Sequence, residues 1–272
     1  MQKVVLITGA SKGFGRIWTE AILKEGNKVI ATARNINALD DLASRYTNDL
    51  LVLPLDVTER EKCFNVVEQA YNHFGKIDVL INNAGYGLFG AIEETTEQEA
   101  RKQMETNFFG TLWMTQAVLP FMRKQKSGHI IQISSYLGLV TLPILGLYNA
   151  SKFAVEGLSE TLASEVAGYG IHVTLVEPNG YATDWANASA ERTNSLKEYD
   201  HIKEAFYQGA SADIFGKPEA TAEPIVNLIK NPNPPLRLLF GKMAYQAVKQ
   251  AYQEKLVEFE KWKEVSIAAH GN

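Results

Sequence analysis

The chain has 272 residues and a net charge of −4, with 46% apolar and 21% charged residues. This is ordinary globular composition, with apolar material for a sizeable core in one large α/β domain or two small ones. The absence of a basic tract argues against a nucleic-acid phosphate track. The single Cys63 excludes an internal disulfide framework and suits a reducing, cytoplasmic compartment.

In chain order, short apolar runs recur at 4–7, 28–33, 50–53, 78–81, 129–134, 172–176 and 236–240. Runs without alternation predict strands buried on both faces, as in a parallel sheet covered by helices. Between them lie helical patterns such as 59–74, where Cys63 reads as a small apolar filler. A second, 97–123, carries Met104, Phe108, Leu112, Thr115 and Leu119 along one stripe. The expected fold is α/β: a Rossmann-type, doubly wound, seven-stranded parallel sheet with helices on both faces, in a single domain over 1–272. No signal peptide or membrane span is expected, since no apolar stretch is long enough. The irregular stretch 181–216, with a helical pattern through Leu196, Tyr199, Ile202 and Phe206, reads as a substrate lid. The last helix, 241–265, places Tyr245, Val248, Tyr252, Leu256, Phe259 and Trp262 on one side, a face expected to pack in the core or in an interface.

After the first strand come Gly9, Ser11, Lys12, Gly13, Phe14 and Gly15, opening the first helix. Glycines at a strand-to-helix turn let the backbone approach a pyrophosphate lying on the helix N-terminus, where free N–H groups favour negative charge. Tyr148 and Lys152 stand four residues apart in Tyr148-Asn149-Ala150-Ser151-Lys152, and so share a helix face. An ammonium beside a phenol favours its ionised form, which eases proton movement near neutral pH. Serines 134 and 135 lie upstream, and either hydroxyl could hold the oxygen that gains or loses the proton.

A Rossmann-type NAD site needs an acid at the end of the second strand. Here Ala33 stands in that slot and Arg34 follows it. A guanidinium can clamp a 2′-phosphate bidentately, and Lys12 and Ser11 add to the same corner, so NADP is favoured over NAD.

The spacing G-x-x-x-G-x-G resembles that of the short-chain dehydrogenase/reductase family, in its single-domain branch. So do Asp56-Val57, Asn82-Asn83-Ala84-Gly85, Asn107, Ser135, Tyr148-x-x-x-Lys152 and Pro178 with Thr183, all in order along the chain. The resemblance implies a catalytic set of Asn107, Ser135, Tyr148 and Lys152. Ser135 is chosen over Ser134 because it lies thirteen residues before Tyr148, as in the family. Tyr148 would act as general acid in reduction or base in oxidation. Lys152 would lower its pKa and bond the nicotinamide ribose, Ser135 would hold the carbonyl oxygen, and Asn107 would order a relay water. The cofactor set would be the glycine loop, Arg34, Asp56, Val57, Asn83, Ala84, Gly85, Tyr148, Lys152, Pro178 and Thr183. The chain departs from the family at Asn179, where Pro178 is usually followed by glycine; Asn tolerates a left-handed backbone, so the turn is expected to survive.

The substrate wall is expected from Tyr86, Tyr136, Leu142 and Trp185, apolar and aromatic enough for a mid-sized hydrophobic ketone or aldehyde rather than a sugar phosphate. No metal is expected. The activity implied is an NADP(H)-dependent hydride transfer between nicotinamide and a carbonyl or alcohol. The alternatives are an NAD-dependent alcohol dehydrogenase and a catalytically silent cofactor-binding regulator. The family also implies a homodimer or homotetramer.

Overall fold

The computed structural model describes residues 2–183, 185, 190–209 and 215–271, so parts of the expected lid, at 184, 186–189 and 210–214, lie outside the described residues. The first half alternates β1 (Val4–Thr8), α1 (Gly13–Lys24), β2 (Lys28–Ala33), α2 (Asp40–Arg45), β3 (Leu50–Pro54), α3 (Arg60–Phe74) and β4 (Val79–Asn82). After a short β5 (Leu88–Phe89) come α4 (Glu97–Met104), a π-helical turn (Glu105–Phe109) and α5 (Gly110–Gln125). Then follow β6 (Gly128–Ile133), α6 (Gly146–Val166), β7 (Ile171–Pro178), β8 (Glu191–Arg192) and α7 (Asp200–Gly209). The chain ends through α8 (Ala222–Lys230), β9 (Arg237–Phe240), α9 (Lys242–Lys261) and α10 (Lys263–Ala268).

Seven strands form one sheet in the order β3-β2-β1-β4-β6-β7-β9, and every pairing is parallel. β1 shows why. Val5 and Ile7 enter one core cluster, with Trp18 and Ile22 of α1 and Ile225 of α8; Val4 and Leu6 enter the other, with Val66, Met114 and Val118. Successive side chains point to opposite faces, so a continuous apolar run buries both sides at once. The chain reverses its order at β1 and β4. The loops after these two strands therefore face a common crevice at their carboxyl ends, where open α/β sheets bind ligands.

Two expectations need correction. The 97–123 pattern is not one unbroken helix, and its predicted stripe is not the buried one. The buried side is Gln103, Asn107, Thr111, Met114, Val118 and Met122, one position off the predicted stripe before and after the π turn, so that of the stripe Thr115 is buried while Met104, Phe108, Leu112 and Leu119 are half-buried. Of the two placements expected for the apolar side of the last helix, core or interface, the core is excluded for most of its length. Ala244 is buried and Val248 and Ala251 are partly so, but from Tyr252 to Gly271 the described residues are exposed, Leu256 at 64% and Phe259 at 66%.

Candidate active site

The glycine loop is shaped by contacts that admit no side chain. Gly9 and Gly13 have φ of 66° and 53°, the left-handed region that glycine adopts without strain. A Cβ on Gly15 would lie 2.3 Å from the Gly9 carbonyl oxygen. Thr8 ties the loop to the next crossover, its hydroxyl accepting from the backbone N–H groups of Asn83 and Ala84, both at 3.0 Å. The Asn83 amide donates to the carbonyls of Thr8, at 2.9 Å, and Gly9, at 3.2 Å, so it braces the loop. Beyond the loop, α1 begins with no side-chain cap and no acid in its first turn. Its unpaired N–H groups and positive dipole end fit a pyrophosphate. Phe14 turns inward, stacking on Trp18 at 4.9 Å and meeting Tyr181 edge-on at 5.1 Å.

The Ala10 N–H donates to Thr32 O at 2.9 Å, holding the loop against the end of β2. Ala33 is buried, while Arg34 and Lys12 are exposed at this corner and make no ion pair among the described residues. On the far side, Asp56 accepts from the Thr58 N–H at 3.0 Å and hydroxyl at 2.8 Å, closing the turn after β3. Val57 is buried against Gly110, where a Cβ would come within 2.6 Å of it.

Tyr148 and Lys152 are both buried on α6. Lys152 Nζ donates to Ile133 O at 2.8 Å and lies 5.7 Å from the centre of the Tyr148 ring. Burial lowers Lys152 from the usual ammonium range to about 8. Burial raises the Tyr148 phenol above its ordinary value, and a hydrogen bond with Ser135 works the other way. The expected lowering of the phenol by Lys152 is therefore not what the protein alone shows. In a dry site the cost of burying a phenolate outweighs the help it receives.

Of the two serines, Ser135 is the one at the phenol. It also accepts from the Leu137 N–H at 3.1 Å and donates to Pro178 O at 3.4 Å. Ser134 points elsewhere, its Oγ 2.9 Å from where a Cβ on Gly138 would be.

Asn107 sits inside the π turn, a distortion that often marks functional sites. Its amide is held by the Tyr86 backbone, at 3.1 and 3.0 Å, and by Ser151 Oγ at 3.1 Å. Asn107 and Lys152 converge on Gly85, where a Cβ would lie 3.2 Å from Asn107 Oδ1 and 3.8 Å from Lys152 Nζ.

Thr183 faces the glycine loop, its Cβ 3.9 Å from where a Cβ on Gly13 would be. Asn179 is not in the left-handed region. The turn survives because Gly241, with φ of 99°, leaves room for the Asn179 side chain, which a Cβ there would overlap at 1.5 Å.

The wall around the phenol is a separate apolar cluster. Tyr148, Phe89, Leu137, Val140, Ile144 and Leu145 are packed against Tyr136, Leu142, Trp185, Ile202, Phe206 and Val248. Trp185 meets the Tyr148 ring edge-on at 4.8 Å and lies over Gly87, where a Cβ would come 2.5 Å from it. Tyr86 is not part of this wall; its ring turns toward Lys102, 5.9 Å from the ring centre. Sequence reasoning missed the backbone strain of Ile144, a buried β-branched residue at φ 59°, a conformation of the kind that collects at functional sites. It also missed the acids Glu94, Glu156 and Glu177, whose signal was charge at positions the periodicity reserves for apolar side chains.

The fold and this crevice define a dinucleotide-binding oxidoreductase. Residues 3–194 match the short chain dehydrogenase family, and the chain belongs to it. It is 37% identical to the oxidoreductase BOA17 of Botryotinia fuckeliana over 99% of this chain and 100% of that one. It is 39% identical to a 3-ketodihydrosphingosine reductase of Bacteroides thetaiotaomicron over 89% of this chain and 88% of that one. A short-chain dehydrogenase from Streptomyces avermitilis superimposes with a TM-score of 0.91 at 37% identity, covering 98% of both chains. Structures in the same fold carry NADP (ElxO, 28% identical, TM-score 0.73, 88% of this chain and 96% of that one) and NAD (a Burkholderia phymatum protein, 24% identical, TM-score 0.82, 94% and 95%).

Proposed function

We propose that the chain is an NADP(H)-dependent reductase of a mid-sized hydrophobic ketone or aldehyde. The observation that carries this reading is the meeting of the Ser135 and Tyr148 hydroxyls inside an apolar, aromatic wall, beside a crevice whose phosphate end is cationic. The bound dinucleotide would supply the hydride. Gly9, Ser11, Lys12, Gly13 and Gly15 would hold its pyrophosphate, with Arg34 and Lys12 on the 2′-phosphate. Asp56 and Val57 would flank the adenine, and Ala84 and Gly85 the adenosine ribose. Lys152 would take the nicotinamide ribose, and Pro178 and Thr183 the carboxamide side.

Tyr148 acts as the general acid. Because burial holds its proton firmly, the phenol arrives protonated at neutral pH, as reduction requires. Ser135 donates to the carbonyl oxygen as negative charge develops on it. Trp185 and its neighbours exclude water and select an apolar substituent. The Bacteroides relative is by its name a 3-ketodihydrosphingosine reductase, which agrees with such a wall. Assembly as a homodimer or homotetramer is supported by the half-buried aromatic run in which Phe108 meets Phe109 edge-on at 5.1 Å and Phe109 stacks on Trp113 at 5.7 Å. A cytoplasmic setting suits Cys63, which burial pushes up to about 12 and so keeps as an unreactive thiol.

The test is a panel of long-chain and aryl ketones and aldehydes with NADPH and NADH, run beside Tyr148→Phe. Wild-type turnover lost by at least about a hundredfold in Tyr148→Phe is expected. Equal rates of the two proteins on every compound would reject the reading.

A further inference from the structure

The short strand β5 is paired with another strand on one side only. Gly87 O and Phe89 O accept the backbone N–H groups of Glu191 and Thr193, both at 3.0 Å, so these carbonyls face β8. Successive groups along a strand point to opposite sides. Tyr86 O and the Leu88 N–H therefore face away from β8, where no further strand lies among the described residues. Leu88 is buried, and a buried N–H without an acceptor is costly. The side chain of Gln103 fills that place. Its Oε1 accepts from the Leu88 N–H at 2.9 Å, and its Nε2 donates to Tyr86 O at 3.0 Å.

These are the two bonds that a residue of a parallel neighbouring strand would make on either side of Gly87. A carboxamide can make them because it carries an N–H donor and a carbonyl acceptor, like a peptide group on a side chain. Gln103 is fully buried on α4, one helical turn ahead of Asn107. Both amides donate to the same Tyr86 carbonyl, and Asn107 also accepts from the Tyr86 N–H at 3.1 Å. Asn107 thus grips the segment at its catalytic end, and Gln103 grips it where the substrate wall begins.

The wall stands on this segment. Trp185 lies over Gly87, where a Cβ would come within 2.5 Å of the indole. The same ring lies 5.5 Å from Phe89 and meets Tyr148 edge-on at 4.8 Å. Packing this close transmits a shift of the 86–89 backbone directly to the indole.

We propose that Gln103 is a positioning residue for substrate selection: standing in for a strand beside 86–88, it fixes Gly87 and Phe89, and through them the place of Trp185 against Tyr148. The selection of a bulky apolar ketone rests on the reductase reading. The placement of the wall does not.

Fluorine NMR of protein labelled with 5-fluorotryptophan reads that placement without cofactor or substrate. The chain has four tryptophans, and the Trp185 signal is assigned by its loss in Trp185→Phe. Gln103→Met, similar in length but lacking the amide, should move the Trp185 signal and leave that of Trp18, buried in the core, in place. Gln103→Glu separates the hydrogen bonds from the packing. Its protonated carboxyl, which burial favours, can both donate to Tyr86 O and accept from the Leu88 N–H, whereas the carboxylate has no hydrogen for Tyr86 O. Compared with wild type at the same pH, its Trp185 signal should match at pH 5 and depart by pH 9. In kinetics with NADPH, Gln103→Met should lower kcat/KM for the best long-chain ketone of the panel by about tenfold or more, through KM. The value for 2-butanone, which has too little apolar surface to use the wall, should change by less than about twofold.

A folded Gln103→Met with an unmoved Trp185 signal overturns the proposal. So does an equal fall in kcat/KM on both ketones, the mark of a residue that only supports the fold. Where Gln103→Met does not fold, a Gln103→Glu protein whose Trp185 signal stands at the same offset from wild type at pH 5 and pH 9 overturns it instead. A moved Trp185 signal together with full turnover in Tyr148→Phe would reject the reductase reading and leave the placement of the wall standing.

Discussion

At the scale of single residues, the proposed cofactor choice comes down to one side chain. Arg34 follows a buried alanine exactly one place beyond the slot where a ribose-binding acid would stand, and it is exposed and free of ion pairs among the described residues. Arg34→Ala is expected to weaken NADPH binding by about tenfold or more, the scale of one charge-assisted bidentate contact, and to leave NADH binding unchanged. Fluorescence titration of the two reduced dinucleotides checks this; tighter NADH than NADPH binding in the wild type would reject the assignment. Gly15 makes a different kind of demand. Its α-carbon is pressed against the Gly9 carbonyl, so Gly15→Ala must displace backbone rather than a flexible side chain. A loss of about 1–3 kcal/mol in urea unfolding is expected, together with loss of dinucleotide binding.

At the scale of elements, the insertion after β7 is latched to the segment after β5. Glu94 is buried and accepts from the N–H groups of Leu196, at 2.7 Å, and Ala91, at 2.8 Å, and from Lys203 Nζ. Thr193 and Glu191 extend the latch by donating backbone N–H groups to Phe89 O and Gly87 O, both at 3.0 Å. Burial opposes ionisation of Glu94, but these donors outweigh it and hold the carboxyl at about 2. A depressed acid contributes stability above its unfolded pKa of about 4.3 and loses it as pH falls through its folded value. The latch should therefore hold at neutral pH, weaken progressively below about pH 4 and release as pH falls through about 2. Glu94→Gln should raise KM several-fold with little change in kcat and speed proteolysis within 181–216. Unchanged cleavage would show that the insertion is held by its apolar contacts alone.

For the molecule as a whole, acid stability is set in part by a histidine in the middle of the sheet. His129 on β6 is buried against Thr174 on β7, with its Nε2 2.9 Å from the hydroxyl. Burial, with His172 and Lys3 adding positive charge, lowers it to about 3. Between that value and the ordinary 6.5 the unfolded chain binds a proton that the folded chain refuses, so stability rises with pH across this window. Urea midpoints should fall between pH 7 and pH 5 in the wild type, and by less in His129→Gln. An equal fall in both proteins would place the acid sensitivity elsewhere.

The sequence by itself determined the sheet, because apolar runs of four to six residues with no alternation can be buried only on both faces. It also determined the family and the glycine loop, whose spacing is local and therefore readable along the chain. Tyr148 and Lys152 were legible for the same reason, being one helical turn apart. Only the tertiary structure decided which serine meets the phenol, since Ser134 and Ser135 point to opposite sides of a strand end and the neighbours on each side come from distant segments. It alone showed the π turn between α4 and α5, the turn of Tyr86 away from the wall, and the exposed side of α9 and α10. It alone brought Glu156, Glu177 and Arg237 together, from a helix and two strands as many as 81 residues apart. A periodicity records which face of an element is apolar. What lies across from that face is fixed only when the chain closes on itself, and the partners of a buried amide such as Gln103 are visible only there.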